Sequence, residues 1–400
     1  MLHRTYVMLV CCAVLAACGG SGDKSEDSAA PLIFDGVAGT AGGAVAVKTA
    51  LTLLREEAMA QSLDAYARDC GIPVETIAGL AQEFTSHGRK AAVNSHGGMM
   101  NGSGFYNAWA LTMLNTLIGN LNWKGGTMIA GGGFPENKGP AYDLASFPGA
   151  VTAKGLPYGR NAPYEKTAEF KAKQAAGKPY PAEGPWYPQA PGLATEWISS
   201  LVNGYPYHAE ALIFRNTNPV YGIPGIAHVM DKLKDPAVVP LIVSVDPFIN
   251  ESSAIADYIV PDSVMYETWG FTKPWGGVAT KATTARWPVI EPRMAQNAEG
   301  QRVGLEAFLI ATAKRMGLPG FGEAAIPDAE GNLHPLNRAE DWYLRGAANV
   351  ALIGAPVGDA SDDDIELSGV SRIRADLEAV LKPEEWRKAA TIYAKGGRYE

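Results

Sequence analysis

The 400-residue sequence has few cysteines, and their spacing excludes several kinds of site. The four cysteines are Cys11, Cys12, Cys18 and Cys70, with no C-x-x-C pair and no cluster of Cys and His. Zinc and iron–sulfur centres need several such ligands at short spacings, so this chain alone is not expected to form either. The same count excludes a framework of disulfide bonds. We therefore predict no metal site built from this chain's own side chains.

An excess of positive charge and a long apolar run are also absent. The chain has 34 Lys and Arg against 42 Asp and Glu, for a formal net charge of −8. A general nucleic-acid-binding protein would carry a basic face, so no nucleic acid is predicted as a partner. The apolar run Tyr6–Ala17 is too short to cross a bilayer as a helix.

The N-terminal segment has the pattern of an export signal. Arg4 precedes the apolar run, which ends in the sequence LAACG around Cys18. This pattern resembles a bacterial lipoprotein signal, which implies lipidation of Cys18 and a location on the periplasmic side of the membrane. A short buried helix is the alternative, and the abrupt polar stretch that follows disfavours it. Residues 1–18 are thus predicted to be a signal and residues 19–46 a solvated linker.

The first half beyond the linker is predominantly helical in pattern. Residues 47–200 are predicted to form a helical and α/β portion, in which residues 122–191 are an irregular excursion rich in Gly, Pro and aromatic residues. Apolar spacings of three and four residues predict helices at Val47–Ala60, Ser62–Cys70, Pro73–His87 and Phe105–Leu121. Between the last two helices, Lys90–Asn94 is predicted to be a strand and His96–Gly104 a glycine-rich turn.

The second half predicts an α/β fold, a parallel sheet with flanking helices. Three short apolar runs separated by helical patterns are typical of buried parallel strands: Ala211–Arg215, Leu241–Val245 and Tyr258–Val260. Residues 201–300 are therefore predicted to be a Rossmann-like nucleotide-binding unit and residues 301–400 a helical remainder. Helices are expected there at Gly304–Met316, Ile373–Leu381 and Pro383–Ala394, and a solvated acidic loop at Ser361–Glu366.

Polar side chains follow the first two predicted strands. Asn216 and Asn218 come after the first strand and Asp246 after the second, at the sheet edge where α/β proteins bind ligands. Amides of the 216–225 loop could hold an anion at a helix start, and Asp246 could accept hydrogen bonds from a ribose or a guanine. This arrangement predicts a nucleotide, and the lack of G-x-G-x-x-G disfavours NAD. The alternative is that the asparagines are turn residues and Asp246 a helix cap.

Three blocks of sequence resemble the molybdopterin oxidoreductases of the dimethyl sulfoxide reductase family. They are Asn94–Gly126, Phe214–Pro219 and Val245–Gly270, in the family's order, and the likeness extends over about Val47 to Arg293. Phe271–Pro292 and the sequence SHGGMM are most similar to the tetrathionate reductase branch. Arsenate and polysulfide reductases have similar blocks, and so remain alternative substrate classes.

The resemblance implies a cofactor, molybdenum bis(molybdopterin guanine dinucleotide), and a role for each matching residue. Asn218 and Asp246 would contact the dinucleotide, with Asp246 at the guanine. Glu251 and Ser252 occupy positions that cap the following helix near the nucleotide. His96 and Gly97 would lie near the cofactor or the substrate funnel, although His96 fits a turn residue equally well.

Four further charged residues are expected nearby. Glu267 is expected to fix the loop after the third strand rather than to act as an acid or base. Lys273, Lys281 and Arg286 could attract a small sulfur oxyanion, or could be solvated loop charges.

The sequence departs from the family in ways that bear on activity. It shows neither the cysteine-rich segment that binds a [4Fe–4S] cluster nor a recognisable molybdenum ligand, and no β-rich domain after Arg293. We expect a partial catalytic subunit joined to a leader between about Ser28 and Ala46, and expect it to be inactive alone. The family implies two partner subunits, an iron–sulfur protein for electron transfer and a membrane anchor. The alternatives are an inactive nucleotide- or anion-binding lipoprotein and a gene fragment without function.

Overall fold

The computed structural model describes residues 32–94, 104–127, 131–146, 149, 156–188, 194–274 and 280–400. Cys18, His96 and Gly97 lie outside these residues. Two compact units divide the chain: the first comprises Met1–Ile129 and Gly159–Ala194, the second Ala130–Tyr158 and Thr195–Glu400. Within the described ranges, no helix is long and apolar enough to cross a membrane.

The described part of the first unit begins with a hairpin in the stretch that was predicted to be linker. Strands β1 and β2 pair antiparallel, and Thr49 then caps the first helix by accepting a hydrogen bond from the Thr52 amide at 3.3 Å. The helix predicted from Val47 therefore starts later, because the chain is still extended up to Lys48. The elements are β1 Asp35–Thr40, β2 Gly43–Lys48, α1 Ala50–Ala58, α2 Leu63–Cys70, α3 Val74–Ser86 and α4 Gly104–Leu117.

The predicted strand Lys90–Asn94 is wrong. This segment pairs with no described strand, and its backbone is bound instead by asparagine side chains. The Asn115 amide accepts from the Val93 nitrogen at 3.0 Å and donates to the Val93 oxygen at 2.7 Å. Asn120 donates to the Ala91 oxygen at 2.6 Å. The apolar pattern predicts a buried extended segment, but it does not identify what satisfies the backbone.

The described part of the excursion at residues 122–191 contains an α-helix that the sequence pattern missed. Helix α5 (Ala168–Ala175) is capped by Thr167, whose hydroxyl accepts from the Phe170 nitrogen at 3.0 Å. Tyr164 packs its ring edge-on against Phe170, with 5.4 Å between centroids, and donates to the Pro179 oxygen at 3.0 Å. The described part of this segment is largely irregular in backbone, as predicted, and aromatic packing holds it together.

The second unit contains the predicted parallel sheet, which confirms the α/β fold class. Strands β3 (Leu212–Arg215), β4 (Ile242–Asp246) and β5 (Tyr258–Pro261) pair in the order β3-β4-β5, both pairs parallel. The central strand β4 is buried along its whole length. Apolar side chains of helix α6 (Ala194–Asn203) and of the short helix α8 (Met230–Leu233) pack on one face with Phe214 and Ile242.

The rest of the second unit surrounds one long helix, α10 (Ala339–Leu352). The helices predicted in residues 301–400 are present, but strands accompany them, because strands of three to six residues are too short to show a clear apolar alternation. The strands are β6 Gly270–Thr272, β7 Ala282–Arg286, β8 Gly322–Pro327, β9 Leu333–Leu336 and β10 Gly397–Tyr399. The other helices are α9 Leu305–Arg315, α11 Asp362–Leu367, α12 Arg374–Val380 and α13 Trp386–Ala394.

The acidic run Ser361–Glu366, predicted to be a loop, forms helix α11. The Ser361 hydroxyl accepts from the Asp364 nitrogen at 3.0 Å, and the Asp364 carboxylate accepts from the Ser361 nitrogen at 3.2 Å. This is a capping box, and aspartates in the first turn also complement the positive end of the helix dipole. Ile365, within this helix, is buried. The acidic residues begin a helix here because Ser361 and Asp364 occupy the two positions of the capping box.

Candidate functional site

The loops that follow β3 and β4 lie at one edge of the parallel sheet. Arg215 pairs with Val245, and the Asn216 nitrogen donates to the Val245 oxygen at 3.1 Å, so Asn216 and Asp246 leave the sheet side by side. Asn216 has a φ of 46°, in the left-handed region that asparagine tolerates in turns. The structure thus brings Asn216, Asn218 and Asp246 to the same sheet edge, as the sequence predicted.

Asn218 connects the two loops through its side chain. Its Nδ2 donates to Glu251 Oε2 at 2.5 Å, and its Oδ1 accepts from the Ser252 hydroxyl at 2.8 Å. Ser252 is fully buried, and its hydroxyl also accepts from the Val220 nitrogen at 3.0 Å. The hydrogen bond from Asn218 lowers the pKa of the exposed Glu251 carboxyl, which stays ionised. Asn218 and the Glu251–Ser252 pair were predicted separately, and Asn218 lies 33 residues before Glu251 in the chain. Together they form one polar cluster, the Asn218 cluster.

Glu251 and Ser252 do not cap the following helix, which is a single 3₁₀ turn at Ser253–Ile255. That role belongs to Asn250, whose Oδ1 accepts from the nitrogens of both Ser252 and Ser253 at 3.0 Å. Asn250 was missed from the sequence, although an asparagine before a short helix is a common capping residue. Its capping leaves the Ser252 hydroxyl available to bind Asn218.

Asp246 is 8% exposed, and its carboxylate keeps unused acceptor capacity. Oδ1 accepts from the Phe248 nitrogen at 2.9 Å, and Oδ2 has one longer bond, from Asn250 Nδ2 at 3.3 Å. The first bond makes an Asx turn, so Asp246 is not the helix cap of the alternative interpretation. A carboxylate can accept about four hydrogen bonds. Asp246 can therefore accept further donors from a ligand at the sheet edge.

The anion site predicted at the helix start near Gly225 stays a prediction, but an earlier helix start in the same loop cannot serve as one. The helix after the first loop, α7 (Pro219–Gly222), is one turn long. Pro219 has no N–H group, the Val220 nitrogen is bound to Ser252, and the nitrogens of Tyr221 and Gly222 donate to the Asn218 oxygen. Because these amides are already used or absent, this helix start has no donors for a phosphate.

Two of the three cations proposed to attract a sulfur oxyanion are paired with carboxylates. Lys273 Nζ lies 4.0 Å from Glu136, and Lys281 Nζ lies 3.8 Å from Glu400. Arg286 extends across Gly270, where its guanidinium Cζ would stand 2.9 Å from an added Cβ, and its buried Nε has no hydrogen-bond partner. Glu267 accepts from the Val264 nitrogen at 3.1 Å, which agrees with the predicted loop-fixing role.

Asp262, another residue not identified from the sequence, follows β5 at the same edge. Its buried carboxylate accepts from the Leu305 nitrogen at 3.1 Å, and so caps helix α9 across 43 residues of sequence. It borders a cavity of about 710 Å³. Seven carboxylates and three guanidiniums line this cavity, an excess of negative charge that disfavours an anionic ligand. They are Asp262, Glu267, Glu291, Glu299, Glu306, Glu340, Asp376, Arg302, Arg338 and Arg372.

Comparison with known proteins supports the resemblance that the three sequence blocks carry. The chain is 53% identical over 363 residues to a tetrathionate reductase subunit of Salmonella typhimurium, covering 90% of this chain and 36% of that protein. It is 35% identical to a selenate reductase subunit of Mesobacillus selenatarsenatis, covering 89% and 35%, respectively. It is 32% identical to a tetrathionate reductase subunit of Archaeoglobus fulgidus, covering 93% and 35%. No protein-family model matches the sequence.

Along about nine tenths of its length the chain is similar to molybdopterin oxidoreductases, as the sequence blocks predicted. Within that family it is more similar to the Salmonella tetrathionate reductase protein than to the other two relatives. It spans about a third of the length of these curated relatives.

Proposed function

We propose that this chain holds the guanine end of a molybdopterin guanine dinucleotide, as part of a catalytic subunit that reduces tetrathionate. The observation that carries the proposal is the Asn218 cluster. It joins the loops after β3 and β4 next to a carboxylate that keeps free acceptor capacity. Guanine presents neighbouring N–H donors on its edge, and a carboxylate is the matching acceptor.

The described residues fit the nucleotide end of this cofactor, whereas none of them is assigned to its metal end. Asp246 supplies acceptors, of which Asn250 uses one through a long bond of 3.3 Å, and Ser252 and Asn250 hold the loops in place. In contrast, the part of the chain that the structure describes contains no group of three His, Cys, Asp or Glu that could hold a metal ion. We therefore assign the guanine subsite to this chain and derive no step at molybdenum from its residues.

Bound molybdenum cofactor would supply two electrons, which cleave the central S–S bond of tetrathionate to yield two thiosulfate ions. By family, an iron–sulfur subunit would deliver these electrons and a further subunit would anchor the complex to the membrane. The 53% identity to the Salmonella tetrathionate reductase subunit, against 35% to the selenate reductase subunit, favours tetrathionate over selenate as the substrate. Arsenate and polysulfide stay alternative substrate classes. The competing candidates are a nucleotide- or anion-binding lipoprotein without catalysis and a gene fragment without function.

Measurements on the purified chain distinguish these candidate functions. Molybdenum and guanine nucleotide are measured in the protein as isolated, and turnover is measured as oxidation of a reduced dye by tetrathionate. Bound guanine nucleotide with molybdenum and turnover supports an active enzyme. Nucleotide without metal supports a binding protein. If the folded chain contains no metal or nucleotide, shows no turnover and binds no added guanine nucleotide, the proposal is wrong.

Asp246→Asn is expected to weaken the binding of GMP by roughly 10- to 100-fold, since a hydrogen bond to a charged group contributes about 1.5–3 kcal/mol. Asparagine keeps an acceptor for the Phe248 nitrogen, so the turn should survive while the negative acceptor is lost. Isothermal titration calorimetry measures the affinity. Asp235→Asn is the matched control, because Asp235 makes the same kind of turn bond, to the Ala237 nitrogen at 2.8 Å, before β4 begins. Equal affinity in both variants would contradict the assignment of Asp246.

We also propose that the chain is anchored by lipid at Cys18 on the periplasmic side of a bacterial membrane. The support is the sequence pattern of the first 18 residues. Cys18→Ser is expected to abolish incorporation of labelled palmitate and to release the chain from the membrane fraction. Cys70→Ser, the control, should change neither. Palmitate labelling that persists in Cys18→Ser would exclude this anchor.

A further inference from the structure

Two large apolar side chains project into solvent directly beside Asp246. Phe248 is 68% exposed and Ile249 is 81% exposed. Single exposed apolar residues are ordinary, but an adjacent Phe and Ile on a short turn at a ligand-binding edge need a reason. The polar cluster described above does not use either side chain.

Hydrogen bonds fix the turn that carries Phe248 and Ile249, both before and after the pair. Before it, the Phe248 nitrogen donates to Asp246 Oδ1 at 2.9 Å. After it, the Asn250 nitrogen donates to the Ser253 hydroxyl at 2.7 Å, and Asn250 Oδ1 accepts from two amides. The backbone of Phe248 is thus held at a set position relative to the Asp246 carboxylate. A ligand bound by the Asp246 carboxylate would therefore find the Phe248 backbone at one fixed position beside it.

We propose that Phe248, with Ile249 beside it, is the apolar surface on which the purine base stacks while Asp246 accepts from the edge of the base. The inference rests on the proposed function, and it adds the residue that binds the face of the base. A planar base needs a polar partner at its edge and an apolar partner on its face. The Asp246–Ile249 turn supplies both within four residues.

The loop after β3 carries a second exposed aromatic side chain. Tyr221 is 80% exposed, and its nitrogen donates to the Asn218 oxygen at 3.2 Å. Asn218 also ties this loop to Glu251 and Ser252, so Tyr221 and Phe248 belong to loops that are held together. Aromatic surface on both loops favours a flat ligand between or against them. The carboxylate favours guanine, which has two donors on one edge, over adenine.

The experiment compares nucleotide binding by four forms of the full chain: wild type, Phe248→Ala, Phe248→Trp and Leu367→Ala. Stacking on an aromatic side chain contributes about 1–3 kcal/mol per base, so Phe248→Ala is expected to weaken GMP binding roughly ten-fold or more. Phe248→Trp should keep the affinity, and GMP should quench the fluorescence of the introduced indole. Leu367→Ala removes a 90% exposed apolar side chain far along the sequence on α11 and should change nothing.

The outcomes separate this inference from the proposed function. If wild type binds no GMP, the guanine site itself is wrong and the inference fails with it. If wild type binds GMP and Asp246→Asn weakens it while Phe248→Ala does not, the site stands and the stacking role is wrong. Weaker binding in Phe248→Ala, with unchanged thermal unfolding and with quenching in Phe248→Trp, supports base stacking.

Discussion

Arg398→Ala is expected to lower the free energy of unfolding of the second unit by about 3–5 kcal/mol, because it leaves buried carbonyls unpaired. The guanidinium is buried at the C-terminal end of helix α10. It donates to the oxygens of Val350 and Ile353 at 2.8 Å and to the oxygen of Ala355 at 2.8 Å. Its charge also lies 4.2 Å from the centroid of the Phe134 ring.

The size of this effect follows from the end of the helix. The last carbonyls of a helix have no partner within it, and they carry its negative dipole end. Arg398 satisfies several of them with one planar group, which a lysine cannot copy. Arg398→Lys should therefore recover only part of the stability. Urea unfolding followed by tryptophan fluorescence measures the loss, and Arg293→Ala, at an exposed arginine, should cost less than about 0.5 kcal/mol. A loss below about 1 kcal/mol in Arg398→Ala would contradict this account.

Asn349→Leu is expected to destabilise the second unit by a similar amount, about 3–5 kcal/mol, since up to four buried backbone groups lose their partner. Asn349 is fully buried on α10. Its Oδ1 accepts from the Tyr142 nitrogen at 2.9 Å and, more weakly, from the Ala141 nitrogen at 3.3 Å. Its Nδ2 donates to the Tyr142 oxygen at 2.8 Å and to the Glu136 oxygen at 2.9 Å. One amide thus anchors the 136–142 segment to the helix.

The same unfolding measurement tests Asn349, with two further variants. Asn349→Asp keeps the acceptor but sets a carboxylate against two carbonyl oxygens, so it should also be strongly destabilising. Asn332→Ala, at an exposed asparagine on the β8–β9 turn, loses one side-chain bond of 3.2 Å to Asp328 and should cost no more than about 1 kcal/mol. Gly139 packs directly against the Asn349 side chain, where a Cβ would overlap it. Equal stability of Asn349→Leu and Asn332→Ala would show that the anchor is not needed.

Local patterns in the sequence were sufficient for the parallel sheet and for the position of the site. The runs around Phe214 and Val245 are apolar because both faces of a parallel strand are buried, so they are visible without a structure. Polar residues that directly follow such strands must emerge at one edge, and this placed Asn216, Asn218 and Asp246 together. The three family blocks likewise pointed to the molybdopterin oxidoreductases, because two of them cover the loops after β3 and β4 and the third precedes them in the family's order.

Sequence alone thus determined the fold class, the family and the edge at which a ligand would bind. Only the tertiary structure decided which polar groups pair: Asn218 with Ser252, Asn115 with Val93, Asn349 with Tyr142, and Arg398 with the end of α10. These partners lie 22 to 207 residues apart in the chain. A local pattern reports the burial and backbone preference of one segment, whereas the partner of a polar side chain depends on which distant segment the fold brings beside it. For that reason Asp246 was identified from the sequence, whereas the capping role of Asn250 and the exposed ring of Phe248 were not.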